Sequence, residues 1–505
     1  MPLEDSVNKH VVIVGAGMAG LACAREILST ATDSVHVTMV EASQAVGGRI
    51  RSHTEADGHV LELGAEYVHG SGTILTSWID EFRQSGVWGQ EYVNTFQEKV
   101  DDGQEQHPFF EHIFTLSHAD GGGRPDETPT KDGKYGMYSI NDELVMFNDP
   151  RIEPLNQALE SILDLPADAS ISVEDALKQN EIQLSKELYD LARASYGNTA
   201  GCSDLSKLSL SMLQKFEHHW EVNEREGDYR MPHNIGISGI VGTCHTLLEQ
   251  DPRFTLKLGW EATRIIQDDG SACVSSPNDC LHADAIVVTV PPPMYSRIQM
   301  ELPEKKRLAL EKVGFENAIK IRLSFSCRFW PELVQSIICA NQAIPEIWFR
   351  EYRSVTTESM VYVATAFLVS TFADDFAGRL ANVTNLHQRA ADLMMTQLSS
   401  ILSVAIQDIE DAFINVLYFD WSNQEYARGG YMHARVGMQS SDLEALAAPS
   451  GCLFFAGEAT NTEACCTIQA AMETGIRAAN QILTTGFNQV ALSSIACGRQ
   501  PTPPM

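Results

Sequence analysis

The sequence predicts an α/β protein of two lobes, one built discontinuously around a parallel sheet and the other a set of helices over a mixed sheet. Three observations lead there. An apolar strand, HVVIV from His10 to Val14, runs straight into a glycine-rich turn and a helix. A second apolar strand, Ala283 to Val290, is stopped by three prolines, and a third, from Gly451, breaks into a glycine loop and a helix ending near Leu483. Apolar strands that run into turn residues and helices are the alternation an α/β fold requires; that these separated strands share one sheet is what a family resemblance given below implies.

Composition supports a folded chain. The 505 residues are 44% hydrophobic and 20% charged, enough to bury a sizeable core. Thirty-six Lys plus Arg against 67 Asp plus Glu give a formal charge of −31, which repels polyanions, so no nucleic-acid partner is expected, and suits a cationic one. The 11 cysteines are an odd number without CxxC pairs, so neither a disulfide framework nor a zinc site is expected, and reduced thiols are. The neighbours Cys465 and Cys466 read as packing residues. No segment has the ~18 apolar residues of a membrane span. The polar, acidic start MPLEDSVNKH carries no secretory pattern and the Pro-Pro-Met end no Ser-Lys-Leu address, so a cytoplasmic location is expected.

The first turn is Gly15-Ala-Gly17-Met-Ala-Gly20. Gly15 permits the tight turn, Gly17 removes a side chain where a pyrophosphate must approach, and Gly20 lets helix and strand pack closely; the helix N-terminus then faces the anion. Leu21, Ala24, Ile27 and Leu28 recur at helical spacing, and the next strand, Val35 to Val40, ends on Glu41, whose carboxylate suits ribose hydroxyls. This is a Rossmann-like dinucleotide signature. Two further glycine-rich stretches follow: Gly47-Gly48-Arg49, and Gly64-Ala65-Glu66-Tyr-Val-His69-Gly70.

Thr73 to about Asn234 reads as largely helical, with patterns at Glu153 to Leu165, Ser172 to Gln179 behind a capping box, and Leu184 to Ala194. Residues 119–136 lack periodicity and read as a surface loop. Gly236 to Gly239 reads as a loop feeding a helix, and Pro303 to Val313 and Thr384 to Leu402 read as helices. Gly314 to Phe325 alternates, with Ile319, Ile321, Leu323 and Phe325 on one face and Lys320, Arg322 and Ser324 on the other. By pattern alone Lys320 faces solvent.

Together, EASQAVGGRIRS and LELGAEYVHG resemble the N-terminal signature of the flavin amine oxidases, a family of polyamine oxidases, monoamine oxidases and flavin-dependent histone demethylases. The resemblance extends to GFENAIKIRLSFSCRFWP, to Asp420-Trp421-Ser through Arg428-Gly-Gly-Tyr431, and to GEAT with the helix TIQAAMETGIRAA. It implies FAD, with Gly48 and Arg49 on the pyrophosphate, Gly64, Ala65 and Glu66 beside the isoalloxazine, and Gly457 and Glu458 against the FAD chain. It places Lys320 near flavin N5 through a water, Thr467 and its helix N-terminus by the ring, His69 on the substrate face, and Trp421 and Tyr431 in an aromatic wall. Tyr431 stands where monoamine oxidases carry their flavin-linking cysteine, so the FAD is expected to be noncovalent. Gln469 and Cys465 depart from the polyamine oxidase pattern, where a histidine and a tyrosine stand.

The implied fold is an FAD-binding lobe of residues 1–75, 235–300 and 415–490, a substrate lobe of 76–234 and 301–414, and a tail of 491–505. The implied reaction moves a hydride from the carbon beside an uncharged amine to N5; hydrolysis of the imine gives an aldehyde, and O2 reoxidises the flavin to yield hydrogen peroxide. The expected substrate is a small cationic amine, such as a polyamine. Two alternatives stand beside it: an L-amino-acid oxidase, with Arg83 or Arg225 as carboxylate clamp, and a flavin-containing interaction scaffold related to the histone demethylases.

Overall fold

The computed structural model describes residues 9–32, 34–70, 72–88, 111–113, 135–146, 148–223, 228–232, 234–268, 270–354 and 356–485. Arg225, the tail and all but the last two residues of the 119–136 segment lie outside them.

Five parallel strands form the first sheet, in the order Phe254–Leu258, Val35–Glu41, Lys9–Val14, Ala285–Val288 and Leu453–Phe455. Its strands are apolar on both sides because both faces are covered. Helices Met18–Thr30, Gly236–Glu249 and Ile468–Thr485 pack on one face through Leu21, Ile27, Ile240 and Met472. The antiparallel strands Arg264–Asp268, Ser271–Ser275 and Cys280–Ala283 cover the other through Ile265 and Val274. The helix expected from about Gly239 begins at Gly236 itself.

The second sheet is mixed and seven-stranded: Phe413–Asp420, Ala318–Phe325, Met360–Val369, Glu346–Arg353, Val334–Cys339, Tyr135–Ile140 and Glu143–Met146. One face packs on helices Glu153–Leu163 and Leu386–Leu402, burying Ile319, Ile321, Leu323 and Phe325 with Leu159, Met394 and Leu398. The sequence separates the two faces of Ala318–Phe325 correctly, but the polar face is buried too: all eight residues are buried, so the solvent-facing reading of Lys320 is overturned. That face lies against the nucleotide lobe instead of water.

Tyr135–Ile140 and Glu143–Met146 form a hairpin inside the region read as helical. Its turn residues Asn141 and Asp142 both have positive φ, 52° and 64°, the conformation of a type I′ turn. The expected helix at Leu184 to Ala194 is Lys186–Ala192, capped by Ser185, and runs on into a π-helical turn, Arg193–Gly197. The capping box at Ser172 is present, closed by Asp175.

The reduced-thiol expectation needs one correction. Cys273 and Cys280 are joined in a disulfide, their Cα atoms 6.6 Å apart on adjacent antiparallel strands. The short turn between them brings the two side chains together, a pairing that a search for CxxC spacing does not register. Eight other described cysteines are free, Cys465 and Cys466 among them.

The first and last described helices touch closely. A Cβ built on Gly475 would stand 2.2 Å from the Ala19 carbonyl oxygen, backbone that cannot step aside. Gly475→Ala is therefore expected to destabilise the fold by about 1–3 kcal/mol through overpacking; chemical unfolding of the two proteins measures it.

Candidate active site

Between the two sheets lies a cleft of about 530 Å³. Of the sixteen side chains and glycines singled out above, it is lined by Gly15, Gly17, Glu41, Gly48, Arg49, Gly64, Ala65, Glu66, His69, Lys320, Trp421, Tyr431, Gly457, Glu458 and Thr467. Gly20 is absent from the lining and does what the sequence predicts, since a Cβ there would stand 2.1 Å from the Gly15 carbonyl oxygen.

One end of the cleft has the chemistry of a dinucleotide cradle. Gly15 has φ +113°, and a Cβ on it would meet Thr289 Oγ1 at 2.5 Å. A Cβ on Gly17 would meet nothing within 4 Å, so its missing side chain leaves open space beside the start of the helix Met18–Thr30. Glu41 is fixed by the Ala16 and Ser43 N–H groups, which donate to its two carboxylate oxygens at 2.8 and 2.9 Å. Arg49 Nη1 donates to the Gly430 carbonyl at 2.9 Å and to Glu458 Oε1 at 2.8 Å; Glu458 Oε2 also accepts the Cys466 N–H. The open glycine path, the helix N-terminus and the acid at the second strand fit a dinucleotide cofactor such as FAD.

The other end holds the ionisable groups. Glu66, almost fully buried, meets Lys320 Nζ at 2.8 Å, Arg322 Nη2 at 2.5 Å and Arg230 Nε at 3.1 Å. Burial alone would raise this carboxyl; Arg322, Lys320 and Arg230 outweigh it and hold the group ionised, well below the usual carboxylate range. Lys320 also donates to the Gly64 carbonyl at 2.7 Å. Burial brings its ammonium down to about 8, against the opposing pull of Glu66. Nearby Glu62 is pushed up by burial, although Ser52 and the Ile237 N–H donate to it.

The aromatic wall is anchored by backbone acceptors. Trp421 Nε1 donates to the Leu63 carbonyl at 3.0 Å, and a Cβ on Gly64 would lie 2.9 Å from the indole. The Tyr431 hydroxyl donates to the Asn198 and Thr199 carbonyls, and burial keeps it protonated. Thr467 Oγ1 accepts the Ala470 N–H at the start of the helix Ile468–Thr485. Gln469, one of the departures noted above, donates to the His69 carbonyl at 3.2 Å and is buried.

Sequence reading missed Glu346, Trp348, Phe367, Thr199 and Trp220, all in the lining. Lys320 pairs with Phe367, and Phe367 with Glu346, directly across three adjacent strands, so the three side chains leave the same face of the sheet. Trp348 Nε1 donates to Glu346 Oε1 at 2.6 Å and Asn198 donates to Oε2 at 3.1 Å. Arg83 is not in the lining and pairs with Asp80 on its own helix at 3.2 Å.

The profile of one family, flavin containing amine oxidoreductase, matches residues 18–483, and the chain belongs to that family. It is 26% identical over 493 residues to Lysine-specific histone demethylase 1 homolog 2 of Arabidopsis thaliana, covering 95% of this chain and 59% of that protein. It is 24% identical over 509 residues to Polyamine oxidase 5 of Oryza sativa subsp. japonica, covering 97% and 91%. The chain thus spans roughly half the length of the demethylases it matches, less in one case, and nearly all of the polyamine oxidase. Among solved structures it resembles wild-type Putrescine Oxidase bound to putrescine, with TM-score 0.68, 18% identity and coverage of 94% and 99% of the two chains. The fold is that of the two-lobed flavin-dependent amine oxidases, and the cofactor of the family is FAD. No helix among the described residues is long and apolar enough to cross a membrane.

Replacing Glu66 by Gln leaves three buried cations facing one another and is expected to cost about 3–5 kcal/mol at pH 7. Without Glu66 the pull that keeps the Lys320 proton up to about 8 is gone, so the variant gives that proton up at lower pH, and the loss should shrink as pH rises toward 8 and stay level above it. In the native protein the Glu66 contribution is fully present above the carboxyl's ordinary pKa and fades as pH falls through its low folded value. Urea unfolding of E66Q and wild type at pH 7 and pH 9.5 checks the sign.

Proposed function

We propose that this chain oxidises small aliphatic amines, diamines and polyamines foremost, with oxygen as electron acceptor and hydrogen peroxide as product, and that its FAD is held without a covalent bond. Bound FAD would supply the two-electron oxidation of the carbon beside the amine. The observation that carries the reading is the row Lys320, Phe367 and Glu346 on the cleft face of the second sheet.

Two inter-strand steps put the Lys320 and Glu346 backbones roughly 10 Å apart. The space between the side-chain tips suits a short aliphatic chain with a cation at its far end. Glu346, oriented by Trp348 and Asn198, binds that distal ammonium. Trp348, Phe367 and Tyr431 cover the methylenes and exclude water. Lys320, tethered to Gly64 and Glu66, holds its ammonium near neutrality and can hold or release a proton to water in the cleft. His69 lines the same end and helps fix the reacting amine. Arg49 and Glu458, locked together, orient the cofactor between the N-terminal and C-terminal segments.

Among the alternatives, the carboxylate at Glu346 disfavours an amino-acid substrate, whose own carboxylate it would repel. Arg83 is outside the cleft lining. Methylated lysine is itself an amine, and the demethylase relatives keep that substrate in play, so a test panel includes a methyl-lysine peptide beside diamines, monoamines and amino acids.

Glu346→Gln is expected to raise KM for diamines about 10–100-fold while leaving monoamine KM within about threefold; steady-state peroxide assays read the difference, and an equal effect on both classes would count against the role given to Glu346. The anaerobic rate of flavin bleaching should rise with pH from about 7 to 9 as the reacting amine loses its proton. A flat profile would oppose the proposed chemistry. Acid precipitation should release all yellow colour into the supernatant, as a noncovalent flavin requires.

A further inference from the structure

Around His433, two residues beyond Tyr431, lies a second cluster that the amine chemistry does not use. Cys202, His433 and Glu316 each bring one donor atom, and the three atoms all lie within 4.8 Å of one another. His433 Nε2 stands 4.0 Å from Glu316 Oε1. The imidazole is 1% exposed, yet neither ring nitrogen has a hydrogen-bond partner. A buried imidazole with both nitrogens idle is costly, and structures tolerate such a group where something else completes it.

The ring's position is enforced by the strand pairing. His433 sits opposite Gly314 in the two-stranded pair of Val313–Phe315 with Met432–Ala434. A Cβ on Gly314 would fall 2.0 Å from ring atoms of His433, so only glycine lets the imidazole lie there. Cys202 follows the π-helical turn Arg193–Gly197, a kind of irregularity frequent at functional sites, and its N–H is held by the Gly197 carbonyl. The same stretch supplies the Asn198 and Thr199 carbonyls that hold Tyr431.

We propose that Cys202, His433 and Glu316 bind one divalent transition-metal ion, Zn2+ by preference, with water as the fourth ligand. Thiolate, imidazole and carboxylate are the donor types zinc takes, and a soft sulfur ligand excludes Ca2+ and Mg2+. Tetrahedral bonds of the usual lengths place donors roughly 3.5 Å apart, so small side-chain shifts complete the site. Glu316 is half-buried and gives the ion and its water a way in. On binding, the Cys202 thiol proton leaves to solvent as the S–Zn bond forms; no electron moves, and thiolate plus carboxylate balance the ion's two charges. The ion would join the turn at 198–202 to the strand after Tyr431, pinning the outer wall of the cleft.

The test uses the flavin-loaded protein, stripped with a chelator, desalted and titrated with Zn2+ against a chromophoric competitor. One ion per chain is expected, with Ca2+ and Mg2+ failing to compete. Co2+ should produce ligand-field bands in the red, beyond the flavin's absorption. Cys202→Ser or His433→Gln should weaken binding at least ~100-fold, since even outer-shell changes cost 10–100-fold, with flavin content showing that the variants are folded. Should either variant fail to fold, thiol alkylation of the wild type with and without Zn2+ decides instead: the ion should protect Cys202. Absence of a stoichiometric ion, unchanged binding in both variants, or unprotected Cys202 would overturn the proposal.

Discussion

One carboxylate organises the centre of this protein. Glu66 comes from the third glycine-rich stretch of the nucleotide lobe, and its partners Lys320 and Arg322 come from the strand Ala318–Phe325, next to one edge of the second sheet, with Arg230 from a short strand paired to Tyr67–His69. Each of the three cations would be costly to bury without it, as it would be without them. The pair of oxygens therefore sets how the lobes meet. It also fixes the geometry of the cleft, because Lys320, which lines it, is held by Glu66 on one side and by the Gly64 carbonyl on the other.

That arrangement explains which parts of the site were legible in the sequence. The glycines were, because their requirement is local: Gly15 needs its positive φ, Gly20 must clear the Gly15 carbonyl, and both demands fall inside one short motif. The role of Lys320 was not legible from its strand, whose alternation separates two faces without saying what covers them. Only the resemblance to a family pointed at it. Glu346 was invisible for a different reason. It belongs with Lys320 solely through cross-strand register over two neighbours, a relation that no sequence window contains. The hairpin at Asn141-Asp142 did carry a readable turn signal, lost in a region otherwise dominated by helical spacing. The Cys273–Cys280 disulfide likewise follows from a hairpin, so it was as hard to read as the hairpin itself.

The nucleotide sheet takes its edge strand from Leu453–Phe455, the helix Ile468–Thr485 fits against Met18–Thr30 at Gly475 and Ala19, and Arg49 finds Glu458. A ribosome makes these partners more than four hundred residues apart. The emerging N-terminal segment must wait for more than four hundred further residues before its own sheet can be finished, with its apolar strands and helix exposed in the meantime. A nascent chain arrested anywhere before Leu453 would hold every glycine of the first motif and still lack the strand that completes its sheet.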